Sequence, residues 1–185
     1  MKTKIVLALA LGLAGMTAIP AAMADGLFIN GNIGKSDLKD GNFDKQTAYG
    51  INGGYRWGAF GLEAGYNDFG NFEDKYATTS GAVRDKIDLS GWNVGVNGKV
   101  NFAENWYVSG RAGLYRWSAD TDFGLVAGPR TKRDEKGTDW YAGVGVGYDV
   151  SQNFGIGLAF DRFKADGKVT DYTTNRASVS AEYRF

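Results

Sequence analysis

The groups best placed to do chemistry in this 185-residue chain are charged side chains that alternate with apolar ones. Arg56, Glu63, Lys99, Arg111, Asp161, Arg176, Glu182 and Arg184 all fall on such positions. Enclosed away from water, charges of both signs must pair. The result is either a polar plug or, if the pairs exchange partners, the gate of a narrow pore. A second set, Arg130, Lys132, Arg133 and Lys136, could hold phosphate through charge-assisted hydrogen bonds. Asp120, Asp122, Asp134 and Glu135 dilute it, so a solvated surface is the plainer reading. Asp37, Asp40, Gly41, Asn42 and Asp44 offer oxygens for a cation, but their spacing misses the EF-hand pattern and turn chemistry accounts for Asp-Gly-Asn. No metal is expected. Gly143-x-Gly145-x-Gly147 lacks the spacing of a dinucleotide fingerprint and opens no helix, so no cofactor is expected either.

The composition removes whole classes of activity. With no cysteine and no histidine there is no thiol nucleophile, no disulfide, no imidazole ligand and no Ser-His-Asp triad. No Ser-Lys or paired-carboxylate set stands out, and the chain is read as non-enzymatic, a lipid-modifying enzyme being the least favoured alternative. Lysine and arginine together equal aspartate and glutamate at 21 each, so no field invites nucleic acid.

These side chains need strands to position them. Glycine at 28 residues, proline at only two and aromatics at 14% favour pleated strands over helices. From Leu27 onward apolar residues recur every second position. Trp140, Ala142, Val144, Val146, Tyr148 and Val150 share one face, with Tyr141, Gly143, Gly145, Gly147 and Asp149 opposite. The same alternation runs through Tyr49 to Trp57 and Phe60 to Asn67. Further strands are expected over Leu27–Lys35, Trp92–Val100, Trp106–Trp117, Phe154–Arg162 and Asn175–Phe185. The fold class is therefore all-β, an eight-stranded antiparallel transmembrane β-barrel spanning residues 25–185. An even strand count closes without an edge, and only alternate residues face lipid. Ile87 and Leu89 fall out of step with Trp92, Val94 and Val96, which suggests a bulge or a strand running past the membrane.

Residues 1–24 read as a signal peptide. Lys2 and Lys4 precede an apolar run to about Ile19, and Ala22-Met23-Ala24 supplies a small-x-small site, with cleavage between Ala24 and Asp25. Connections alternate between short (58–59, 101–105, 151–153) and long (36–46, 70–85, 118–137, 164–174), placing the long ones outside the cell and the short ones in the periplasm. Trp57, Phe60, Phe102, Trp106, Phe154, Tyr183 and Phe185 would make the inner aromatic girdle; Tyr66, Trp92, Trp140 and Phe160 would lie near the outer interface.

The last strand, Ser178 to Phe185, resembles the C-terminal assembly signal of outer-membrane barrels. The whole mature pattern is similar to the OmpA-like and OmpX-like small barrels of the Gram-negative cell envelope, taken without the periplasmic peptidoglycan-binding domain. The resemblance implies an outer-membrane location, lipid and lipopolysaccharide as surroundings, and recognition of Tyr183 and Phe185 by the barrel assembly machinery. Arg130, Lys132, Arg133 and Lys136 would then lie near lipopolysaccharide head groups. A monomer is expected, with a structural and surface-interaction role in envelope integrity or adhesion through four loops that could meet a surface ligand or host partner. A narrow porin-like channel is the alternative.

Overall fold

A computed structural model describes residues 26–38, 45–78, 81–125, 130–166 and 171–185. Eight strands follow one another: β1 (Gly26–Leu38), β2 (Gln46–Trp57), β3 (Phe60–Thr78), β4 (Gly81–Ala103), β5 (Trp106–Leu125), β6 (Arg130–Asp149), β7 (Phe154–Asp166) and β8 (Asp171–Arg184). Each pairs antiparallel with its sequence neighbour, and β1 pairs with β8, from Phe28 opposite Arg184 to Leu38 opposite Thr174. The barrel is closed.

Alternation decides what each face carries. Leu62, Val94, Val96, Leu114, Val144, Leu158 and Val179 are exposed on the outside, while Asn52, Glu63, Asn67, Asn93, Asp161 and Arg176 are buried within. Trp57, Phe60, Phe102 and Trp106 stand exposed at the short-turn end. Tyr183 and Phe185 meet edge-to-face there, with ring centroids 5.1 Å apart. Trp92 and Tyr66 form a similar pair near the opposite end, at 5.1 Å.

The strands are unequal. β3 to β6 run 19 to 23 residues, about twice what a tilted strand needs to cross a bilayer. Most of 70–85 and 118–137, expected as loops, is therefore ladder: Asn71–Thr78 pairs with Gly81–Asp88, and Ser118–Gly124 with Arg130–Lys136. Polar residues can continue a strand once past the hydrocarbon, because water rather than lipid then meets their side chains. A bulge lies on β3 between Asp68 and Asn71, where Gly70 has φ of 82°.

That bulge, and not a break in β4, accompanies Ile87 and Leu89. No register shift occurs in β4 between Gly81 and Asn101, and the buried residues Ile87, Leu89, Asn93, Asn97 and Lys99 share one parity. Ile87 and Leu89 point inward, as Asn93 does. The interior itself changes from polar to apolar along the strand.

Candidate functional site

Two layers fill the barrel. Toward the short-turn end, Glu182 is gripped by Arg56, whose Nη1 and Nη2 donate to Oε1 and Oε2 at 3.1 and 3.0 Å. Lys99 Nζ donates to Glu182 Oε1 at 3.2 Å and to Asp149 Oδ1 at 2.8 Å, and sits 3.9 Å from the Tyr107 ring centroid. Arg184 Nη1 donates to Asp149 Oδ1 at 2.9 Å and to Glu182 Oε1 at 3.3 Å, while its Nη2 and Nε donate to the carbonyls of Ser151 and Gln152. Midway along, Asp161 takes two cations. Arg111 donates through Nε at 2.8 Å and places Nη2 at 2.7 Å, and Arg176 donates through Nη2 at 3.0 Å. Asp161 and Arg176 are fully buried, so each charge depends on the other for the solvation it has lost.

Hydrogen bonds carry this network upward. Arg176 Nη1 donates to Asn67 Oδ1 at 2.8 Å, Asn67 Nδ2 to Asn93 Oδ1 at 2.8 Å, and the Tyr141 hydroxyl to Glu63 Oε1 at 2.7 Å. The structure thus brings seven of the eight charges assigned to the interior by sequence into ion pairs, and gives Glu63 a tyrosine instead. Glycines make the fit possible: a Cβ at Gly143 would collide with the Asp161 carboxylate, and one at Gly50 with the Arg176 guanidinium. They let long side chains lie flat against the wall. A cavity of about 60 Å³ remains, bordered by Asn32, Arg56, Glu63, Asn97, Lys99 and Arg111, with both polar atoms of the Asn32 amide and the Asn97 Nδ2 unpartnered. That is room for a few waters.

Above this the lumen is aromatic. Phe69, Phe72, Ile87, Leu89, Tyr115, Trp117, Tyr141 and Phe163 form one buried cluster. Phe163 lies 4.7 Å from Phe69, 5.1 Å from Tyr115 and 5.5 Å from Tyr141, centroid to centroid. Trp117 packs over Gly137 and donates its indole N–H to Asp139 Oδ2 at 2.8 Å. Arg176 joins the layers, its guanidinium carbon 5.2 Å from the Phe163 ring centroid. Sequence reasoning did not assign this plug, nor Asp149 to the network, although Asp149 shares the inward parity of Gly143, Gly145 and Gly147.

The chain belongs to the outer membrane protein β-barrel family. The family's domain model, described as the outer membrane protein beta-barrel domain, matches residues 6–185. No curated protein matches the chain by sequence. Among solved structures it is similar to Ail, the attachment invasion locus protein of Yersinia pestis, in complex with the heparin analogue sucrose octasulfate: 17% identity, TM-score 0.57, 88% of this chain and 100% of that one. Neisserial surface protein A is similar at 15% identity and TM-score 0.61 over 88% and 98% of the two chains. OprG of Pseudomonas aeruginosa is similar at 14%, TM-score 0.56, over 90% and 99%. At these identities the likeness is one of fold. This family member is a Gram-negative outer-membrane barrel, and its short turns accordingly face the periplasm.

The remaining sequence-derived sites are distributed as follows. Lys132 and Lys136 are exposed on β6; the side chains of Arg130 and Arg133 lie outside the described residues. Asp37 is exposed on β1, and Asp40, Gly41, Asn42, Asp44, Ala24 and Asp25 lie outside the described residues. Tyr183 pairs with Ile29 and Phe154, and Phe185 N–H donates to the Leu27 carbonyl at 3.0 Å. Among the described residues no group of three acidic side chains is arranged to hold a metal.

Proposed function

We propose that this outer-membrane barrel is a non-enzymatic surface-interaction protein, contributing to envelope integrity and presenting its protruding hairpins to an extracellular partner. One observation carries the reading. β3 to β6 continue outward as a four-stranded sheet, and beyond Tyr141 no ladder partner for β6 on the β7 side is found among the described residues. An unpaired strand edge is a template for an added strand. Lys132, Asp134 and Lys136 on that edge disfavour pairing of two copies and leave a partner of suitable charge pattern as the fitting occupant.

The channel alternative draws support from the polar lower cavity, but the aromatic layer across the outer half counts against a continuous water path. Bacteria displaying the full chain, or a variant whose residues 119–136 are replaced by a two-residue turn, would be scored for adhesion to epithelial monolayers. Loss of adhesion with normal surface levels is expected. Equal adhesion would remove the proposal.

A further inference from the structure

Among the described residues, the outward-facing cations are all at one end of the barrel. Along β5 the outward positions run Trp106, Val108, Gly110, Ala112 and Leu114, and the next is Arg116. Along β7, Phe154, Ile156, Leu158 and Phe160 lead to Arg162; along β1, Leu27, Ile29, Gly31 and Ile33 lead to Lys35. At the periplasmic end the corresponding rim is aromatic, and among the described residues no outward lysine or arginine stands there. Lys99 and Arg184 at that end turn inward onto carboxylates.

Arg116 has the fullest surroundings. It lies directly opposite Trp92 on β4 and Thr138 on β6, and Lys136 is its diagonal neighbour through the Ser118–Lys136 pair. Diagonal positions on one face are about 7–8 Å apart, within joint reach of one phosphate. Both side chains are exposed, and neither has an ion-pair partner among the described residues. Ser90 and Ser118 face each other one row further out, adding hydroxyl donors. Below lie the paired residues Leu114 and Trp140, exposed apolar side chains on the face that lipid would cover. Asp88, Asp120 and Asp134 occupy the row beyond the serines, which confines the attraction for anions to the rim.

We infer that Arg116 and Lys136, with Ser90, Ser118 and Thr138, form a binding site for the phosphorylated headgroup of an outer-leaflet lipid. The acyl chains would descend along Leu114 and Trp140, and the phosphate would accept from the guanidinium fork and the ammonium. This differs from the set Arg130, Lys132, Arg133 and Lys136 expected from sequence, of which only Lys136 is retained.

The full chain, folded in detergent micelles, would be titrated with diphosphoryl lipid A and the bound fraction read by native mass spectrometry. Arg116→Gln/Lys136→Gln should bind about 30-fold more weakly, each cation near a phosphate-rich surface being worth a factor of about five. Lys86→Gln/Lys132→Gln, in the row two beyond that of Ser118 and Lys136, should stay within twofold. Dephosphorylated lipid A should bind the wild type as weakly as diphosphoryl lipid A binds the rim variant, and millimolar inorganic phosphate should not displace the lipid. Retained gel mobility of the unboiled sample establishes that each variant is folded. Equal loss in the outer-lysine variant, displacement by free phosphate, or undiminished binding by the rim variant would each overturn the assignment.

Discussion

The two halves of the lumen solve one problem in opposite ways. An eight-stranded barrel leaves an interior just wide enough for its own side chains. The periplasmic half fills it with four arginines and Lys99 locked onto Glu182, Asp149 and Asp161; the outer half fills it with rings around Phe163. Paired charges demand specific geometry, because a lost partner leaves a desolvated ion. Packed rings demand only shape and volume, and their cost on truncation depends on how well the neighbours close in. The ionic half should therefore respond sharply to single changes and the aromatic half more gradually.

Asp161→Ala tests the sharper half. It strands Arg176 and Arg111 together, and should lower stability by about 4 kcal/mol in chemical unfolding from micelles. Phe163→Ala should cost about 3 kcal/mol by the same measurement. The double change Phe69→Ala/Phe163→Ala should also turn a silent barrel into one with discrete conductance steps in a planar bilayer; steps in the wild type would break the contrast. Tyr141 belongs to both layers. Removing its hydroxyl alone, as Tyr141→Phe, leaves Glu63 without its donor and should cost about 2 kcal/mol. The exposed Lys164–Asp166 pair, charged but wet, marks the bottom of the scale: Lys164→Met should change stability by about 0.5 kcal/mol or less.

The same contrast explains what the amino-acid order reveals by itself. The strands and their closure were legible because lipid and lumen impose opposite polarity on alternate residues, as Trp140 to Val150 illustrates. Arg56, Asp161 and Arg176 were assignable to the lumen because a charge on the other face would meet hydrocarbon. Tyr115, Trp117 and Phe163 carry no such label, since a ring is equally at home in lipid and in a packed lumen. Ile87 and Leu89 accordingly read as a break in phase, although parity counted upward from Lys99 and Asn93 leads straight to them. The bulge at Gly70 had even less to mark it. One inserted residue turns both Phe69 and Phe72 inward, and the only outward sign is a glycine.

The ladder between β1 and β8 has a consequence for how the molecule is made. It joins Phe28 to Arg184, so the seam that removes the last free edge unites the two most distant strands of the chain. Hairpins such as β2–β3 can zip from the turn at Gly58-Ala59, but this seam has no turn to start from and must form across the largest loop in the fold. Until it does, β1 and β8 each expose a row of unpaired amides that hydrocarbon cannot solvate. The barrel consequently has no stable half-inserted form along the sequence. Pairing along this seam removes both rows in one step, which couples closure to insertion.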